Sequence, residues 1–146
     1  MTDNQITLSK GSYNSRADNS VYALCTKLSN FLKDSLPFCK VGFDNVFQCY
    51  DINTLQYRNF RIDMTVKFYD LENSEYKTIL LDIIRTNSTR PFSATQKSID
   101  QKYKHRNTLI FKKYGLKVLN LSKKAIKDLD NGYGSKLLEI IEKHAL

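Results

Sequence analysis

Two aspartates, Asp63 and Asp82, stand 19 positions apart in stretches that otherwise read as β-strands. Asp82 interrupts the aliphatic run KTILLDIIRT at 77–86, and Asp63 falls in FRIDMTVKFYD at 60–70. Burying an unpaired charge costs several kcal/mol, so a carboxylate in such a run has a partner, a metal or a chemical task. If the two strands pair as a hairpin, both carboxylates can point to one face of the sheet. Two carboxylates a few ångströms apart repel, and a hard divalent cation such as Mg2+ relieves that repulsion with oxygen ligands. A metal held there activates water and neutralises charge building on a phosphate. Plainer readings stand beside this one. Asp63 belongs on the polar, exposed face of its strand, and Asp82 pairs with Lys67 or Arg85.

The elements that must position these acids follow from periodicity. After a polar arm (1–19), Val21, Leu24, Leu28, Phe31 and Leu32 recur at helical spacing, with Ser20 as a cap and Pro37 as a stop. A first strand is expected near 45–52. In 60–70, Ile62, Met64, Val66 and Phe68 alternate with Asp63, Thr65 and Lys67, the mark of a half-buried strand. The run 77–86 is apolar on both faces, as in a central strand. A long helix follows from Ser93 until Gly115 stops it, with Ile99, Tyr103, Ile110 and Tyr114 on one face and Arg106 or Asn107 filling the gap. A short strand (LKVLNLS) and a final helix from about Gly134 complete the domain. Three strands joined by short turns form an antiparallel meander, and a helical crossover makes the fourth parallel to the third. The expected fold is α/β, one domain (20–146) with a mixed sheet flanked by helices.

The charge is uneven. The chain of 146 residues has a formal net charge of +8, which points to a polyanionic partner. Between Arg85 and Lys117 nine Lys or Arg face a single acid, Asp100, whereas residues 1–60 carry six basic and five acidic residues. A phosphate-binding surface is therefore expected on Arg85, Arg90, Lys97, Lys102, Lys104, Arg106, Lys112 and Lys113, with the helix from Lys102 to Lys113 at its centre. His105 reads as a surface residue, and Tyr103 and Tyr114 as packing residues before base-stacking ones. Cys25, Cys39 and Cys49 are odd in number and have no C-x-x-C spacing, so reduced thiols in an intracellular protein are expected, without structural zinc. No apolar run is long enough to span a bilayer.

The order αβββαβα, with one acid on the second strand and one on the third, resembles the PD-(D/E)XK nuclease superfamily. The basic helix with Arg106 running into Gly115 and Val118 looks like its Vsr-like and RAP-domain branch, as does the trailing KDLDNGYGSKLLEIIEKHAL. The resemblance implies a restriction-endonuclease-like core, Mg2+ held by Asp63 and Asp82, and RNA or DNA as partner. It departs from the pattern where the catalytic lysine belongs: Ile84 stands two residues after Asp82. Ile62, not proline, precedes Asp63. Lys97, early in the crossover helix, is the candidate for a transplanted lysine.

Three functions follow as expectations. The first is a degenerate, non-catalytic module that binds RNA or DNA, within a larger ribonucleoprotein in one version. The second is an active Mg2+-dependent endonuclease using Asp63, Asp82 and Lys97. The third is a structural subunit whose basic face docks on an acidic protein.

Overall fold

Residues 19–84 and 101–146 are described in this computed structural model. The expected arm therefore lies outside them apart from its last residue, and so do Arg85, Arg90 and Lys97. Helix α1 (Asn19–Ser35) buries Val21, Leu24, Leu28 and Leu32 at the expected spacing. Strands β1 (Lys40–Asp51), β2 (Gln56–Asp70) and β3 (Glu75–Ile83) form the antiparallel meander. Helix α2 (Gln101–Tyr114) crosses over to β4 (Val118–Leu121), which pairs with β3 in parallel. The result is an α/β fold with a four-stranded mixed sheet in the order β1-β2-β3-β4.

Three boundaries move. Strand β1 starts at Lys40 rather than near 45, because the ladder with β2 runs on through Gly42 to the pair Lys40 and Lys67. A glycine that breaks the sequence pattern is tolerated there by cross-strand pairing. Strand β2 begins at Gln56, and β3 ends at Ile83, before Arg85. Beyond β4 the chain makes a short helix α3 (Lys123–Lys127) that the apolar spacing does not announce. The Ser122 side chain caps it by accepting from the Ala125 N–H at 3.1 Å. A single 3-10 turn (Leu129–Asn131) leads into α4 (Tyr133–His144). Gly115, at φ 69, ends α2 as expected.

The sheet has an apolar cluster on each face. On one, Met64, Val66, Leu81 and Leu119 pack with Leu28 of α1, Ile126 of α3 and Ile141 of α4. On the other, Ile110 of α2 packs with Phe47, Cys49, Ile62 and Leu80. Val41 belongs to the first cluster and Phe47 and Cys49 to the second, although all three share one parity on β1. Between them Asp44 adopts φ 53. The β1–β2 ribbon thus changes sides at this point and curls around α2. Cys25, Cys39 and Cys49 form no disulfide. Among the described residues no helix is long and apolar enough to cross a membrane.

Register organises the α2-facing side of the sheet into rows. Lys40, Lys67 and Thr78 make one row, and Thr65, Leu80 and Val118 make another, two residues along. One step past the pair Met64 and Leu81, Asp63 lies beside Asp82, which is itself paired with Asn120. The face of β2 that alternation marks as polar is not open to water here. Asp63 is 4% and Thr65 3% exposed, and the Thr65 hydroxyl donates to Asn45 Oδ1 at 3.2 Å.

Candidate functional site

The two acids meet, as the hairpin pairing requires. Each takes a main-chain donor from the other's strand: the Asp63 N–H donates to Asp82 Oδ1 at 3.0 Å, and the Ile83 N–H to Asp63 Oδ2 at 2.8 Å. Asp63 is buried, which corrects its assignment to an exposed polar face. The partner of Asp82 is neither Lys67 nor, within the described residues, any group on its own strand. It is Arg106, whose Nη1 donates to Asp82 Oδ2 at 2.8 Å. Lys67 lies four residues from Asp63, about 13 Å along an extended strand, with its Nζ over the Tyr76 ring.

Helix α2 delivers Arg106 because Tyr103, Arg106 and Ile110 lie on the stripe that faces the sheet. The guanidinium lies over the Tyr103 ring, 4.9 Å from its centroid. Its Nε donates to Asn107 Oδ1 at 3.0 Å, and Asn107 Nδ2 donates to Asn120 Oδ1 at 2.9 Å. A chain of polar contacts thus runs from β2 through β3 and α2 to β4. Arg106 is therefore turned inward, against its expected place on a phosphate-binding surface. Its Nη2 is buried and makes no hydrogen bond among the described residues.

The electrostatics are unbalanced in a defined direction. Asp63 and Asp82 lie side by side in a buried site, and Arg106 contacts Asp82. Burial, and then the Asp63 charge, push the Asp82 carboxyl well above the ordinary carboxylate range, against the pull of Arg106.

With Arg106 in place, this set of described residues leaves little room for the Mg2+ ion that the resemblance implies. Mg2+ asks for near-octahedral oxygen ligands. Here three carboxylate oxygens already accept from two main-chain N–H groups and a guanidinium. Among the described residues no group of three or more His, Cys, Asp or Glu is placed to hold a metal. Ile84 follows β3, and Lys97 lies outside the described residues.

The sequence does not announce a third buried acid. Asp51, at the end of β1, is 1% exposed. Its Oδ1 accepts from the Asn53 N–H and lies 3.0 Å from His105 Nε2, and its Oδ2 accepts from Arg58 Nη1 at 3.1 Å. Burial alone would raise its pKa, but the bonds from His105, Arg58 and Asn53 together hold it below the usual value. His105, expected at the surface, is half-buried and ties the first turns of α2 to β1. The readable signal is adjacency: consecutive residues His105 and Arg106 serve two strands on either flank of the helix.

The remaining basic residues divide. Lys104 and Lys112 point to solvent, two turns apart on the outer face of α2. Lys113 is exposed but donates to the Gln48 carbonyl at 2.7 Å. The backbone of Lys102 lies in the first turn of α2, and its side chain is outside the described residues. Tyr114 packs edge-on against Phe47, with ring centroids 5.1 Å apart, as its spacing predicts.

No family model, no curated protein and no solved structure matches this chain.

Proposed function

We propose that this chain is a non-catalytic nucleic-acid-binding module, in which Arg106 fills the place that a metal ion takes in a nuclease-like site. One observation carries the reading: the buried Arg106–Asp82 ion pair beside Asp63. A guanidinium supplies the positive charge that two convergent carboxylates need, but it activates no water and binds no leaving oxygen. The net charge of +8 and the outward Lys104 and Lys112 support a polyanionic partner. The convergence of Asp63 and Asp82 on one face favours an active Mg2+-dependent endonuclease as the second reading, with Arg106 displaced on binding.

The test is binding and cleavage on the same oligonucleotides. Fluorescence anisotropy with RNA and DNA, single-stranded and duplex, is read across a salt series, and cleavage is read in Mg2+ and Mn2+. Salt-sensitive binding without cleavage is expected. Metal-dependent cleavage lost in Asp82→Asn overturns the non-catalytic reading. Preference for an acidic protein over every oligonucleotide overturns the nucleic-acid partner.

A further inference from the structure

The same face of the sheet continues past the two acids, and its composition there is unusual. Register places Tyr69 opposite Tyr76, and Phe38, just ahead of β1, falls opposite Tyr69 when the β1–β2 register is continued past Lys40 and Lys67. The three rings touch in sequence. Phe38 and Tyr69 meet edge to face at 6.2 Å between centroids, and Tyr69 and Tyr76 at 5.0 Å. The adjoining row is Lys40, Lys67 and Thr78, with Lys67 Nζ 5.3 Å from the Tyr76 centroid. Neither row carries an acidic side chain, and Leu146 pairs with Thr78 through the main chain at the end of the lysine row. Asp70 and its partner Lys77 have the opposite parity and point to the other face.

Packing does not account for these rings. Phe38 is 72% and Tyr76 54% exposed. Phe38 also adopts φ 51, a left-handed conformation that a bulky residue takes up only at a cost. The fold spends backbone strain to hold a phenyl ring in water, in line with two tyrosines and next to two lysines.

We propose that this aromatic row and lysine row form a platform for an unpaired strand of nucleic acid, with bases stacking on Phe38, Tyr69 and Tyr76 and phosphates meeting Lys40 and Lys67. Stacking on exposed rings beside a basic track is how sequence-tolerant single-strand binding works. A duplex hides its base faces and gains nothing from the rings. The proposal rests on the nucleic-acid reading above and adds the strandedness of the ligand and the surface that reads it.

Phe38→Gly suits the test because glycine adopts a positive φ freely, so the ring is removed without burdening the backbone. It is combined with Tyr76→Thr, which keeps a strand-forming residue at the partner position. Anisotropy is measured with oligo(U), oligo(dT) and a duplex of equal length, with circular dichroism to verify folding. The double variant is expected to weaken single-strand binding about tenfold per ring, with the salt slope unchanged and duplex binding untouched. Lys67→Gln is expected to lower the slope by about one unit. Ultraviolet crosslinking of wild type to oligo(U) or oligo(dT) should label the tryptic peptides 34–40 and 68–77, and which oligomer labels more strongly separates RNA from DNA. Wild-type binding that the double variant leaves unchanged overturns the platform but not the nucleic-acid reading. Failure of wild type to bind any oligonucleotide overturns both. Self-association in solution that the double variant abolishes, without single-strand binding, assigns the rings to a second copy of the chain and overturns the proposal.

Discussion

Arg106 Nη1 and Asp82 Oδ2 lie 2.8 Å apart, with both side chains about nine-tenths buried. The contact joins the crossover helix to the central strand, so the site and the α2–sheet interface are one object. Removing either partner leaves a charge in the interior, which typically costs about 3–5 kcal/mol. Arg106→Met is expected to destabilise the protein by about that much in urea denaturation. Adding Asp82→Leu should recover part of that stability, because the unpaired charge is gone, although the buried Asp63 N–H loses its acceptor. A double variant as unstable as the sum of the singles would show that the two residues do not act on each other.

Metal should have little to offer wild type and more to offer the variant without Arg106. In thermal melts with and without Mg2+, wild type is expected to show no shift. Arg106→Ala, which takes the guanidinium away from Asp63 and Asp82, is expected to gain melting temperature on adding Mg2+. A rise in wild type that Asp82→Asn abolishes would instead favour the endonuclease reading.

The pH dependence has opposite signs at Asp82 and Asp51. The Asp82 pKa is raised above its ordinary value of 3.8, so the native state holds the proton more tightly than the unfolded chain. Its contribution to stability is full below that value and is lost as pH rises through the native pKa. From about pH 4 to about pH 8, wild type should therefore lose melting temperature relative to Asp82→Asn. The Asp51 pKa is lowered from 3.8, so its contribution is present above that value and is lost as pH falls through the native pKa. Asp51→Asn should flatten the acid limb of the same curve. Parallel curves for wild type and Asp82→Asn would show that the carboxyl titrates normally.

Lys104 and Lys112 should carry salt dependence that Arg106 does not. Replacing each lysine with Gln is expected to lower the slope of log K against log salt by about 0.7–0.9 for each phosphate that is no longer neutralised. Arg106→Met should change stability without changing that slope, provided binding is measured where the variant is folded.

Gly134 should reverse the usual preference of a helix for alanine. A Cβ built there lies 2.7 Å from Phe31 Cζ and 3.0 Å from the Leu129 carbonyl oxygen. Gly134→Ala, which stabilises an open helix by roughly 0.5–1 kcal/mol, is expected here to destabilise by about 1–3 kcal/mol. Urea midpoints settle the sign.

The order of elements and the pairing of strands are legible in the chain, because alternation at 62–68 and the apolar run around Asp82 are local signals. The meeting of Asp63 and Asp82 follows from that pairing. The partner of Asp82 does not, because Arg106 lies 24 residues away and sits in a stretch dense with solvated lysines. Composition alone assigns it outward. Yet Arg106 occupies a gap in the stripe of Tyr103 and Ile110, and that position is what directs it to the sheet. Asp51 and His105 are hidden for a similar reason: their contact spans 54 residues and rests on the ribbon curling around α2, which no local pattern encodes. Phe38 gives no signal because a single aromatic after a proline reads as loop.

Strand β1 is an edge of the sheet, and α2 reaches over it at Gln48. The Tyr114 hydroxyl accepts from the Gln48 N–H at 3.2 Å, and Tyr114 and Lys113 both donate to its carbonyl. A bare edge invites another chain to extend the sheet. Here a foreign strand arriving at Gln48 finds the rung already occupied by side chains, and at Asp44 it meets backbone turned out of the extended conformation. The same helix that neutralises the acids thus acts as a guard against amyloid-like stacking. Loosening α2 would expose an aggregation-prone border before the core itself came apart.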